Sequence, residues 1–225
     1  MTLKEILYRI LIQGGSYRVI LTGLGATLNI SAFSLILGTL LGSVICALRM
    51  SSIKIFRFFA GAYIVILRGS PVLMLLMLMY YGMFAGSDLE AETVAVITFS
   101  LNVAAHVAEL LRASINATDY GQVEAARTLG FSKAQAFRLI TLPQVIRIAK
   151  PVYQSTTVNL IQWTSVVGYV SITDLTRVIN NIASRTMQPM ITIIIGMLIY
   201  LLFAYVVHGF FKLSDFYQSR REQMS

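Results

Sequence analysis

Between Val19 and Leu48 the chain runs for 30 residues without Asp, Glu, Lys or Arg. As a helix this run would reach about 45 Å, half as long again as the hydrocarbon core of a bilayer. Inside lipid, backbone N–H and C=O groups have no water to bond, so a run of this kind folds as a helix that pairs them internally. Four more apolar runs follow. Phe58–Ala85 is interrupted by Arg68, and Thr93–Leu111 carries His106 and Glu109. Pro151–Thr173 and Thr186–Phe211 have no charge if His208 is neutral. Charged residues make up 12% of the chain, where soluble domains carry about 25%. The expectation is an all-α membrane protein with about five transmembrane helices, one domain over residues 1–225, and neither strands nor a long linker.

Charge sets the orientation. Five spans put the two ends on opposite sides. With the N-terminus outside, the inner segments 49–57, 112–150 and 212–225 hold 12 of the 18 basic residues, the outer ones five, and Arg68 lies within a span. Positive charge favours the cytoplasmic side, so the N-terminus is expected outside and the C-terminus inside a bacterial cytoplasmic membrane, with the acidic loop at Asp88, Glu90 and Glu92 outside. Residues 1–15 read as an interfacial helix: Leu3, Ile6, Leu7, Ile10 and Leu11 repeat at helical spacing, polar residues occupy the rest of the wheel, and Gly14-Gly15 ends it.

Ser34, Gly38, Gly42 and Cys46 recur every four residues in the first span. Such a stripe of small residues lets another helix approach closely, either within the chain or from another subunit. Cys46 is the only cysteine, so no intramolecular disulfide exists and a buried small side chain is expected.

One stretch breaks the apolar pattern. Residues 116–151 are polar and basic, and within them Gly121 to Pro151 reads as two short helices on the cytoplasmic side. Gly130 suits the left-handed residue after the first helix, Ser132 caps the second, and Pro143 is expected to stop it. Ala125 and Ala126 are small, which suits close docking in a groove.

The chemistry that the residues exclude is informative. No Gly-x-x-x-x-Gly-Lys-Ser/Thr is present, so any nucleotide site belongs to a partner. His106 and His208 are the only histidines; no metal cluster or hydrolytic triad suggests itself, and no catalytic residue is assigned. The polar groups within the spans are the functional candidates, because a charge at the centre of a membrane helix costs about 2.5–3.5 kcal/mol. Arg68 stands in Arg68-Gly69-Ser70-Pro71, where Pro71 lacks an N–H and disturbs the carbonyl of Leu67. Carbonyls freed beside a guanidinium can face a cavity. Glu109 can pair with Arg68 or receive a solute ammonium, with Arg112 snorkelling at the boundary. His106, Gln162 and Trp163 complete the set that would gather around one wet cavity near mid-membrane, as substrate sites in transporters do. For each of them, packing between helices is the competing role.

Glu124-Ala125-Ala126, Gly130, Ile140 and Leu142-Pro143 resemble the EAA loop of ABC importer permeases. Leu67-Arg68-Gly69-Ser70-Pro71 with Tyr80-Tyr81-Gly82, the segment Ala104 to Arg112, Leu175-Thr176-Arg177 and Ala183-Ser184-Arg185-Thr186 extend the likeness over nearly the whole chain. Together they resemble the polar amino acid uptake permeases of the histidine/glutamine type. The resemblance implies a type I importer fold and a pore of two permeases, identical or homologous. Two cytoplasmic ATP-binding subunits would hold ATP and magnesium, and an extracytoplasmic solute-binding protein would deliver the solute. This chain itself would contact lipid, bind no nucleic acid and carry no cofactor. It also implies that Glu124, Ala125, Ala126, Gly130, Leu142 and Pro143 couple the ATPase to the membrane. His106 stands where the family usually has Tyr, and Gln162-Trp163 where Lys-Asp or Lys-Ser is common, which leaves the solute open. An opine, a sulfur compound or a small peptide are alternatives, as is a membrane anchor for an ATPase without solute flux.

Overall fold

In a computed structural model the chain is described at Glu5, at residues 8–13 and at residues 15–223, with side chains through Ser214 except those of Arg9 and Gln13. Nine α-helices are present among the described residues, after a π turn at Arg9–Gln13: α1 Ser16–Arg49, α2 Lys54–Gly69, α3 Val72–Leu78, α4 Ala91–Asn116, α5 Tyr120–Thr128, α6 Lys133–Ala136, α7 Leu142–Trp163, α8 Leu175–Thr186 and α9 Pro189–Gln223. Helices α1, α4 and α9 (to Ser214) are each long and apolar enough to cross a membrane, and α2 with Val72–Met83 passes only as a bent pair, either one broken span or a re-entrant loop. The fifth expected run lies in α7, which starts nine residues before Pro151, and in the 3-10 turn Thr164–Val170 that follows it.

The chain divides into two units threaded through one another in sequence. One is built from residues up to Leu35, Pro71–Phe99 and Thr157 onward; the other from Ile36–Ser70 and Ser100–Thr156. The core of the first joins Ile10 and Ile20 to Leu175, Val178, Ile179 and Ile182 of α8. Ile10, read from sequence as facing lipid, is thus buried against protein; Leu3, Ile6, Leu7 and Gly14 lie outside the described residues. Asp174 starts α8 by accepting from the backbone N–H groups of Thr176 (2.9 Å) and Arg177 (3.0 Å), and Thr27 of α1 accepts from Leu175 N at 3.2 Å.

The second unit shows what the small-residue stripe is for. A Cβ on Gly38 would sit 2.6 Å from Val103, and one on Gly42 would sit 2.8 Å from the Ala104 carbonyl and from Val107. Cys46 is buried with Ile64 and Ala108. In the first unit Ser34 Oγ reaches the Val96 carbonyl at 3.3 Å. The stripe is therefore the seam along which α1 packs on α4 of the same chain. Two thirds of the apolar window of α4 is buried, against about a tenth of that of α9.

The expectation at Pro143 requires correction. The helix that begins at Lys133 does not stop there. It widens into a π turn over Phe137–Thr141 and runs on as α7 through both Pro143 and Pro151. The physical reason is local. A π turn pairs each N–H with the carbonyl five residues back, so the extra residue makes room for a ring that would otherwise strike the carbonyl four back.

Candidate functional site

Pro71 behaves differently. Ser70 and Pro71 are both extended (ψ 137° and 129°), which separates α2 from α3. A proline at position 71 cannot bond the carbonyl of Leu67, one turn earlier. That carbonyl is taken instead by Asn102 of α4, whose Nδ2 donates to it at 2.9 Å. A second tie lies one turn back along α2, where Tyr63 Oη donates to the Leu101 carbonyl at 2.7 Å. Asn102 is 1% exposed, and its Oδ1 is buried without a hydrogen-bond partner. Sequence reasoning missed this residue. Its signal was spacing: Asn102 precedes His106 by four residues and Glu109 by seven, so all three share one face of α4.

Arg68, the last basic residue of α2, is exposed and makes no ion pair or hydrogen bond among the described residues. Its charge lies close enough to act on both His106 and Glu109. The Arg68–Glu109 ion pair, one of the two roles the sequence left open for Glu109, does not form. Glu109 is held instead by Arg112, whose Nη2 and Nε donate to its two carboxylate oxygens at 2.6 and 2.9 Å. Residues three apart on a helix are neighbours, and a guanidinium fork matches a carboxylate, so the pair forms within α4 at no cost in tertiary geometry. Both side chains keep about a third of their surface open (32% for Arg112 and 27% for Glu109).

Of the five residues expected to gather, Arg68, His106 and Glu109 belong to the second unit. Gln162 and Trp163, at the end of α7, belong to the first. Gln162 lines a cavity of about 440 Å³ there, shared with Thr176, Asn180, Tyr200, Ile193 and Gly196 and mostly apolar otherwise. Thr176 and Tyr200 bond each other through their hydroxyls at 2.9 Å.

The polar elbow is built as a rigid joint. Asp119 caps α5 by accepting from Gly121 N at 2.9 Å. At the other end Gly130 takes φ +91°, Gly130 N donates to the Arg127 carbonyl, and Phe131 N donates to that of Ala126, each at 3.1 Å. These two bonds are the Schellman pair that closes a helix C-terminus. Two residues later Ser132 and Gln135 bond each other's backbone N–H groups in a reciprocal capping box. Gln144 of α7 reaches back to Asp119 N (3.3 Å) and to Gln122 (3.0 Å), clamping the elbow to the long helix. Glu124 and Ala125 are exposed, whereas Ala126 is buried, so its smallness serves packing inside the elbow rather than docking. Leu129, Phe131, Phe137, Leu139 and Leu142 stand exposed around the joint.

Residues 34–217, which contain the broken helix, the α4 face and the elbow, match the family described as "Binding-protein-dependent transport system inner membrane component". The chain belongs to that family. Among curated relatives, this permease is 38% identical over 186 residues to the "Probable amino-acid ABC transporter permease protein YckA" of Bacillus subtilis, covering 82% of each chain. It is 31% identical over 205 residues to the "Histidine/lysine/arginine/ornithine transport system permease protein HisM" of Salmonella typhimurium, covering 86% of this chain and 87% of the relative. Among solved structures, the permease matches a chain of "an amino acid ABC transporter with histidines" with TM-score 0.83 and 33% identity, over 92% of this chain and 97% of the other. The fold is therefore that of type I importer permeases, as the resemblance implied.

Proposed function

We propose that this permease is the membrane subunit of an ATP-driven importer and moves a polar amino acid, or a derivative of one, by alternating access. The observation that carries the reading is the coexistence of two features in one chain. One is a membrane helix broken at Ser70-Pro71 beside Arg68, His106 and Glu109. The other is a capped, rigid elbow with exposed apolar side chains, anchored directly to the long helix α7. A passive anchor for an ATPase needs the second feature but not the first. The names of the relatives, which concern amino acids, support the solute class.

In this reading ATP is hydrolysed on two cytoplasmic partner subunits, whose grooves receive the elbow around Glu124, Ala125 and Gly130. Their motion reaches the membrane through α7, with Leu142 and Pro143 at its root. A second permease, identical or homologous, completes the pore, and an extracytoplasmic binding protein delivers the solute. Arg68 faces the solute carboxylate, by charge and hydrogen bonding. His106, Glu109, Gln162 and Trp163 are the further candidates for contact with the solute. Uptake of labelled amino acids by cells lacking the chain tests the class: uptake unchanged for every amino acid tried would sink it. Orientation has its own test. A cysteine placed at Ser87 should react with an impermeant reagent on intact cells and one at Ser132 should not; the reverse pattern would overturn the outside N-terminus.

A further inference from the structure

We infer that Asn102 is a positioning residue whose side-chain amide replaces the backbone N–H that Pro71 lacks, and so fixes the segment beginning at Arg68 to α4. The inference rests on the reading of Arg68, His106 and Glu109 as solute-facing.

Three observations carry it. The carbonyl that Nδ2 of Asn102 meets, at 2.9 Å, is that of Leu67, the one group on α2 that a residue other than proline at position 71 would bond in a continuing helix. Leu67 is the residue before Arg68, so the bond sets where the backbone that carries the guanidinium leaves the helix. The donor also sits on α4 one turn before His106 and two before Glu109, so a single bond ties the backbone that carries the cation to the element that bears these two side chains. Finally, the carboxamide is kept although its other end, Oδ1, is buried with no partner. Leucine has nearly the same shape and would avoid that unsatisfied acceptor. A side chain present for packing alone would be apolar; the amide is explained by what Nδ2 does. Tyr63, donating to Leu101 one turn away, holds the same two helices in register and leaves Asn102 to act on the break itself.

A double-mutant cycle decides the matter. Asn102→Leu keeps the volume and removes the donor; Asn102→Ala is the second choice should the isostere fail to assemble. Each is made with Pro71 in place and in the Pro71→Ala background, where position 71 regains an N–H for Leu67. Purified chains are melted, and assembled transporters in proteoliposomes are assayed for uptake of labelled L-arginine as the probe. With Pro71 present, losing the amide should lower the melting temperature by about 2–4 °C, as expected for one hydrogen bond in a chain of this size. It should also raise half-saturation about tenfold with little change in maximal rate. In the Pro71→Ala background both effects should shrink to less than about half. Equal losses in the two backgrounds would overturn the assignment, because the amide would then do nothing that the proline requires. Loss of stability with unchanged half-saturation, in a transporter where Arg68→Ala does weaken half-saturation, would overturn the positioning role alone. Unchanged half-saturation in Arg68→Ala would instead sink the solute reading, and the melting cycle would still decide the bond.

Discussion

Pro71 and Pro143 are the same residue in two apparently similar settings, each meant by its chemistry to interrupt a helix. At Pro71 the chain turns extended for two residues and the orphaned Leu67 carbonyl is served by a side chain from α4. At Pro143 the helix widens for five residues beforehand and then runs unbroken to Trp163. The difference teaches that proline removes a donor but does not decide what becomes of the acceptor. Where a neighbouring helix offers an amide, the break persists and can be used; where the backbone offers a π turn, the helix survives as a lever. One device makes a discontinuity beside Arg68, and the other keeps the elbow continuous with a membrane helix.

The largest test of that contrast is Pro71→Ala. It restores an N–H, allows α2 and α3 to join, and should lower maximal uptake at least about tenfold without lowering the melting temperature. Near-normal uptake would mean that the break is incidental. Next comes Gly130→Pro. Gly130 has φ +91° and donates to Arg127, and proline supplies neither. The elbow should lose its closure, and ATP hydrolysis should no longer respond to solute while the chain still inserts; a normal response in proteoliposomes would show that a rigid joint is not needed. Gly130→Ala, which meets only the left-handed backbone penalty, should cost about 1–2 kcal/mol and weaken the response less.

Glu109→Gln should have a smaller effect on stability. Glu109 pairs with a partly exposed Arg112 in the same helix, so the loss should be about 0.2–1 kcal/mol rather than the several kcal/mol expected for a buried Arg68–Glu109 pair. A collapse in expression would reinstate a tertiary role for this carboxylate. The smallest change is expected from Pro143→Ala. The π turn already accommodates the ring, so melting should shift by no more than about 0.5 kcal/mol equivalent and uptake should stay within about twofold. A large loss would show that Pro143 shapes the lever after all.

Local chemistry explains which of these features could be read in advance. Gly130, and Ser132 with Gln135 three residues on, specify their turn through backbone conformation and neighbouring N–H groups, information carried within a few residues. The break at Pro71 and the α1 seam are legible for the same reason: Gly38 and Gly42 can only be small if something lies close. The run through Pro143 was not legible, because a π turn costs little and leaves no signature of its own in composition. The partner of Glu109 was misjudged because a charge far off in sequence drew attention away from one at i+3. Asn102 was overlooked because it is neutral, and Ala126 was read as a docking surface because a small residue looks the same whether it faces inward or out. Charge singled out Arg68, His106 and Glu109, which belong to one unit; the grouping with Gln162 and Trp163 rests on chemistry alone.

Helix α1 holds one more implication, this time for the ribosome. The bond that Thr27 accepts from Leu175 N joins positions 148 residues apart, while Gly38 and Gly42 meet α4 near Val103 and Val107. At a synthesis rate of about 5–20 residues per second, the N-terminal half of the helix waits about 7–30 s for its partner, and the C-terminal half less than half as long. Helix α1, made before every helix it packs against, is thus among the last to be finished. During that interval its polar groups Thr27 and Ser31 must be sheltered by the insertion machinery or by one another; Ser31 already turns its hydroxyl back onto the Thr27 carbonyl at 2.7 Å. A chain stalled before residue 175 would leave this face uncovered, and quality-control proteases could recognise it there.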